Sequence, residues 1–164
     1  MTNLKRSIRL LHLVFLMIVS VPPGVRGWNL TYLSSFNPLN YELLDVEISG
    51  DYAYVPGGLD GLAVIDISNP SSPRMVGLHY ASGCGFGRLY AVHVNGDYAY
   101  GSGRYCGIKV MDVSNPNNLV EVSDYGSRAN SYEHSDSKGG YLFAAVHTAG
   151  VEIIDISHPD SLRL

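Results

Sequence analysis

Charge is what this chain has least of. Charged residues make up 16% of its 164 residues, well below the roughly 25% usual in soluble domains. Segments with sustained helical periodicity are missing, and 18 glycines and 12 tyrosines stand out instead. Few charges with many turn residues and β-formers indicate an all-β soluble fold. The length suffices for one domain with a real core. Basic residues are scarcer still beyond the N-terminus: after Gly27 there are 7 Lys and Arg against 15 Asp and Glu. An acidic body lacks the clustered cations that phosphate binding needs, which argues against nucleic acid as partner. Only two cysteines are present, with no Cys-x-x-Cys spacing, so a cysteine-built metal site is not indicated. His-Glu-x-x-His, Gly-x-Ser-x-Gly and a phosphate-cradling loop with its Lys are also missing. Ser102 sits between two glycines but without the spacing of a nucleophile elbow.

The cations that do exist gather at the start. Lys5, Arg6 and Arg9 precede the apolar run Leu10–Val21, after which come Pro22-Pro23-Gly24 and the small-residue site Val25-Arg26-Gly27. This order describes a secretory signal peptide over residues 1–27, cut near Gly27–Trp28. The competing reading is an uncleaved anchor, but Leu10–Val25 is shorter than the roughly 20 residues a spanning helix needs. No cysteine lies near the cut, so a lipid anchor is not supported. The expectation is an extracytoplasmic protein (secreted, periplasmic or on the cell surface) with no membrane span after cleavage. Asn29-Leu30-Thr31 is a glycosylation sequon, a weak signal.

The remainder of the chain is repetitive. GLAVIDISNP at Gly61–Pro70 returns as GIKVMDVSNP at Gly107–Pro116 and as GVEIIDISHP at Gly150–Pro159. Upstream, VEISGDYAY from Val46 matches VHVNGDYAY from Val92, and GGYLF at Gly139–Phe143 continues the pattern. Periods of this size belong to propellers, solenoids or arrays. One period holds four short strands: Leu43–Ile48, Tyr52–Pro56, Leu62–Ile67 and Arg74–Tyr80. The first two are joined by a Ser-Gly-Asp or Asn-Gly-Asp hairpin turn. Four antiparallel strands in about 40–50 residues make a propeller blade. The pattern GDYAY…GLxVIDISNPxxPxxVG resembles the LVIVD-repeat family, from about Leu43 to Leu164. That resemblance implies an exported, β-propeller-like fold and no particular activity.

Blades are expected at 43–88, 89–131 and 132–164, the last incomplete. The fold class is therefore an all-β set of about three propeller repeats, short of closure. The third copy departs from the pattern, since its first strand, Tyr132-Glu133-His134-Ser135-Asp136-Ser137, is polar. Residues 28–42 hold a stretch, Leu30–Phe36, that resembles a fourth strand able to complete another blade. Two explanations fit: the chain is the N-terminal part of a longer propeller, or two copies form a homodimer that completes a six-blade ring.

Antiparallel strands send a blade's loops to two opposite ends. One end carries the Asp-x-Ser-x-Pro turns. The other receives the strand two–three loops and the crossovers, and there the sequence turns irregular. Phe86, Arg88, Arg104 and Tyr105 on those loops are the candidate binding surface, with incidental side chains on glycine-rich turns as the alternative. Cys84 and Cys106 share that end, and an exported protein can join them in a disulfide. The repeated Asp66, Asp112 and Asp155 are read as turn-formers that accept backbone N–H bonds. Glu47, His93 and Asp136 occupy equivalent first-strand positions, which line a propeller's channel, with Asp45 beside Glu47 and His134 beside Asp136. Converging carboxylates and imidazoles could hold a divalent metal; otherwise no cofactor is indicated. His79, His147 and His158 read as scattered surface residues. The leading expectation is a non-enzymatic repeat module that binds protein or glycan at the cell surface. The alternative is a propeller hydrolase or lyase using the channel His, Asp and Glu.

Overall fold

The computed structural model describes residues 31–37, 42–58, 61–80, 88–127 and 129–162. The signal-peptide stretch and the crossover residues 81–87, with Cys84 and Phe86, lie outside the described residues. The chain divides into Met1–Tyr32 and Leu33–Leu164, and the strands belong to the second unit. No helix occurs among the described residues, hence none long and apolar enough to cross a membrane.

The strands follow the repeat. The first sheet contains β1 (Glu47–Ser49), β2 (Tyr52–Pro56), β3 (Leu62–Asp66) and β4 (Arg74–His79). The second contains β5 (Arg88–Asn95), β6 (Tyr98–Arg104), β7 (Gly107–Asp112) and β8 (Val120–Tyr125). The third contains β9 (Tyr132–Lys138), β10 (Tyr141–Val146) and β11 (Gly150–Asp155). Each sheet pairs its strands in chain order, all antiparallel. The result is three propeller-like blades, two with four strands and one with three.

Glycine sets the joints. Gly50, Gly96 and Gly139 open the tight first hairpins with φ of 57°, 60° and 61°, a region open to Gly without steric cost. The glycine that begins each copy of the repeated phrase is also left-handed, at 88°, 72° and 92° for Gly61, Gly107 and Gly150. It turns the chain into the third strand of each blade.

Blades pack face to face, which explains why the inner strands read as continuous apolar runs rather than alternating ones. Tyr54, Leu62 and Val64 of the first blade meet Leu89, Ala99 and Met111 of the second in one core. Tyr100, Ile108 and Val110 leave the opposite face of the second blade and meet Leu142, Ala144 and Ile154 of the third. Each such aliphatic side chain contributes roughly 1.5–3 kcal/mol when fully buried. Lys109 is the exception in the run: it is buried, and its Nζ donates to Glu121 Oε1 at 3.0 Å and Asp124 Oδ2 at 3.2 Å.

The first expected strand is corrected, and the N-terminal segment stands apart from the sheets. The first begins at Glu47, not Leu43, because Asp45 diverts the segment before it. Its carboxylate accepts the N–H of Val46 at 2.9 Å and that of Val92, in the next blade, at 3.1 Å. The described part of Leu30–Phe36 is not a strand. A strand needs a neighbouring edge to pair with, and residues 33–37 pair with no strand among the described residues. The polar first strand of the third blade does form, pairing β10 from Lys138 to Tyr132. It tolerates polarity because only Tyr132 and Ser135 are buried along it.

Candidate functional site

The Asp-x-Ser-x-Pro end of the blades is built the same way three times. Asp66 Oδ1 accepts the Ser68 N–H at 3.0 Å and the Ser68 hydroxyl at 2.6 Å. Asp112 and Asp155 each accept the N–H two residues on, from Ser114 and Ser157, at 2.9 Å. Asp66 also pairs with Arg74 at 2.6 Å. The bonds from Ser68 hold the Asp66 carboxyl below the usual carboxylate range, and those from Ser114 do the same for Asp112. These carboxylates are engaged in fixing turns.

The first strands bring one channel set together. Glu47, His93 and Asp136 stand opposite Tyr54, Tyr100 and Phe143 in their respective hairpins, so they hold one register in the repeat. His93 Nδ1 lies 3.7 Å from both Glu47 Oε1 and Asp136 Oδ1. Its Nε2 is 2.8 Å from the Ser137 hydroxyl, which also takes a bond from Asn95 at 3.1 Å. His93 therefore meets side chains of both neighbouring blades. His134 is not brought in; it faces Ala145 across the hairpin and is exposed. Among the described residues no three His, Cys, Asp or Glu side chains are grouped to hold a metal ion.

The opposite end is where the blades differ, and it holds a cleft of about 370 Å³ between the second and third blades. Arg104 and Tyr105, at the β6–β7 turn, line it together with Tyr90, Asn130, Ser131, Glu133 and His147. Two of these arrive by β-bulges. In β5, Leu89 faces Gly103 and Ala91 faces Ser102, so Tyr90 is the extra residue. In β9, Tyr132 faces Val146 and His134 faces Ala145, so Glu133 is the extra residue. A bulge re-aims the side chain of its unpaired residue, and here both go to the cleft. Tyr90 and Glu133 are the same position in successive blades.

Three further features mark this cleft. Tyr105 has φ of 60°, the one non-glycine residue in the left-handed region among the described residues, a strain that persists where the surroundings enforce it. The Arg104 guanidinium stacks over the Tyr105 ring at 5.1 Å, and hydrogen bonds to Tyr105 and Tyr90 hold its pKa above the usual arginine value. Among the described residues Ser131 Oγ is buried with no hydrogen-bond partner, and a hydroxyl left so costs about 1–3 kcal/mol. His147 Nδ1 sits 3.5 Å from Glu133 Oε1 at the rim.

The other candidates lie elsewhere. Arg88 faces Arg104 across the β5–β6 ladder and points toward Glu42 at 3.9 Å. Phe86 and Cys84 lie outside the described residues. Cys106 is buried in the core between the first two blades and is not a free thiol. Tyr90, Asn130, Ser131, Glu133 and His147 were not singled out by the sequence as cleft residues. Tyr90 and Glu133 are extra residues only relative to β6 and β10, so the repeat alignment alone does not mark them.

Comparison with known proteins bears on fold and family. Among solved structures, the computationally designed Ika8 protein matches with a TM-score of 0.53 and 12% identity, over 74% of this chain. The match spans 35% of that designed chain, about a third of its length. The designed Ika4 protein matches with a TM-score of 0.46 and 10% identity, over 77% of this chain and 99% of its own. At such identities the likeness to Ika8 concerns the fold alone. No curated protein matches the chain. The LVIVD-repeat model matches residues 44–80, 87–126 and 137–164, in step with the three blades, and this chain belongs to the LVIVD-repeat family.

Proposed function

We propose that this protein is an extracytoplasmic, non-enzymatic binding module that holds a glycan at the cleft between its second and third blades. The carrying observation is a concavity between two blades lined by two tyrosines, an arginine, a glutamate and a histidine. Aromatic faces with fixed donors and acceptors suit a polyhydroxylated ligand. A volume of about 370 Å³ lies in the range of small-molecule sites, roughly 300–1,000 Å³. It accommodates the end of a saccharide chain rather than a protein surface. Export rests on the basic, then apolar, then small-residue order of residues 1–27.

A disulfide between Cys84 and Cys106 belongs to the same proposal. Its support is that Cys106 is not a free thiol and that Cys84 is the other of the chain's two cysteines. The bond would tie the crossover to the start of β7, and a loop of this length stabilises by about 3 kcal/mol. Thiol labelling of the unreduced protein should modify neither cysteine; modification of both would exclude the bond.

The functional test is a saccharide array followed by titration calorimetry on the best binder. Arg104→Ala and Tyr105→Ala should each weaken binding about tenfold or more, the scale of a lost charged hydrogen bond or stacked ring. Binding that survives both changes undiminished would remove the cleft as the site.

A further inference from the structure

The molecule leaves one blade face exposed and another at the floor of a recess, and they are the two halves of one interface. Inside the chain that interface is made twice. Tyr54 and Val64 in the first blade, and Tyr100 and Val110 in the second, face the following blade. At the same register in the third blade stand Phe143 and Ile153, which have no following blade among the described residues and are 38% and 53% exposed. Beside them Val151 is 66% exposed.

The complementary half is on the first blade. Ala99 and Met111 of the second blade face backward onto the first; their equivalents Ala53 and Ile65 form the separate small cluster with Val55. Already buried, they floor an apolar recess of about 550 Å³ walled by the chain's own Phe36, Leu43, Leu44 and Val46.

The N-terminal segment supplies a third, independent sign. Ser123, on the outer strand β8, donates to the carbonyl of Pro159 in the turn of the blade after it, at 2.6 Å. Ser34 donates to the carbonyl of Pro70 at 2.6 Å, the same bond to the same turn of the first blade. Residues 33–37 therefore lie where the outer strand of a preceding blade would lie. The third blade, conversely, has β11 as its outermost strand, with that edge unpaired among the described residues.

From these three observations we propose that two copies of this chain join head to tail into a six-blade ring. Each copy seats its Phe143 face in the other's apolar recess. Each lends residues 33–37 to the other as the fourth strand beside β11, so that the segment gains the edge it lacks in one copy. The second copy is the favoured occupant because its faces are the same pair that already pack within the chain. Six blades fall inside the usual range of about four to eight.

Sedimentation of the full chain tests this. The expected result is a species of twice the mass of one chain, with frictional behaviour of a compact particle. Phe143→Asp, and separately the more exposed Val151→Glu, should raise the dissociation constant by about 100-fold or more, as charges buried at an interface centre do. Unchanged far-ultraviolet circular dichroism would show both variants still folded. A single-chain mass at all accessible concentrations would overturn the proposal and leave the faces to other blades. So would a dimer indifferent to both substitutions.

Discussion

Asp112 and Tyr105 show the two ways one residue matters here. Asp112 serves the fold: its carboxylate accepts the Ser114 N–H and is held below the usual carboxylate range by the Ser114 bonds. A depressed folded-state pKa stabilises above the unfolded value, near 4, and that stability is lost as pH falls through the folded pKa. Asp66 behaves alike, through Ser68. Thermal melts should therefore fall steadily as pH drops below about 4. In Asp66→Asn/Asp112→Asn that acid slope should flatten, and an unchanged slope would contradict the assignment. Tyr105 serves the cleft at the fold's expense. A left-handed, non-glycine residue costs about 1–2 kcal/mol, so Tyr105→Gly should leave denaturant stability equal or higher by about 1 kcal/mol. It should lose ligand binding at the same time; a clear loss of stability would show that the strain is not there. The aspartate role was legible from Asp-x-Ser-x-Pro alone, since an Asx turn is local. The Tyr105 strain was not, because φ depends on how β6 and β7 are held.

At the scale of elements, hydrophobic runs and turn glycines revealed the blades, while their edges depended on contacts between blades. β2 begins and ends where the sequence places it, and β3 stops one residue sooner than expected, at the aspartate that starts the turn. β1 shrinks because Asp45 bonds to Val92 of the next blade, a long-range partner no local pattern encodes. The bulges escaped detection for the same reason: Tyr90 and Glu133 are extra residues only relative to β6 and β10. Close approach of blades yields a prediction at Gly77 in β4. A Cβ there would meet the Pro116 carbonyl oxygen at 2.1 Å and the Leu119 side chain at 2.6 Å. Gly77→Ala should cost about 1–3 kcal/mol by overpacking, measured by urea unfolding. A cost near zero would mean that the first two blades do not pack as described.

Across the whole molecule, a constant frame carries variable contents. The repeated phrase builds the third strand and the turn of every blade, and its chemistry is spent on hydrogen bonds within the blade. Difference accumulates at the opposite end, where successive blades place Leu44, Tyr90 and Glu133 at one position, and where Arg104, Tyr105 and Ser131 converge. The sequence singled out that end, and Arg104 and Tyr105 on it, from irregular loops. It could not supply the partners, which come from the neighbouring blade. If ligand recognition belongs to this variable end, a two-dimensional amide NMR titration with the best-binding saccharide will show it residue by residue. Shifts are expected to concentrate at Tyr90, Arg104–Tyr105, Asn130–Glu133 and Val146–Thr148, with the Asp-x-Ser-x-Pro turns unmoved. Shifts centred instead on Ser68–Pro70, Ser114–Pro116 and Ser157–Pro159 would contradict that placement.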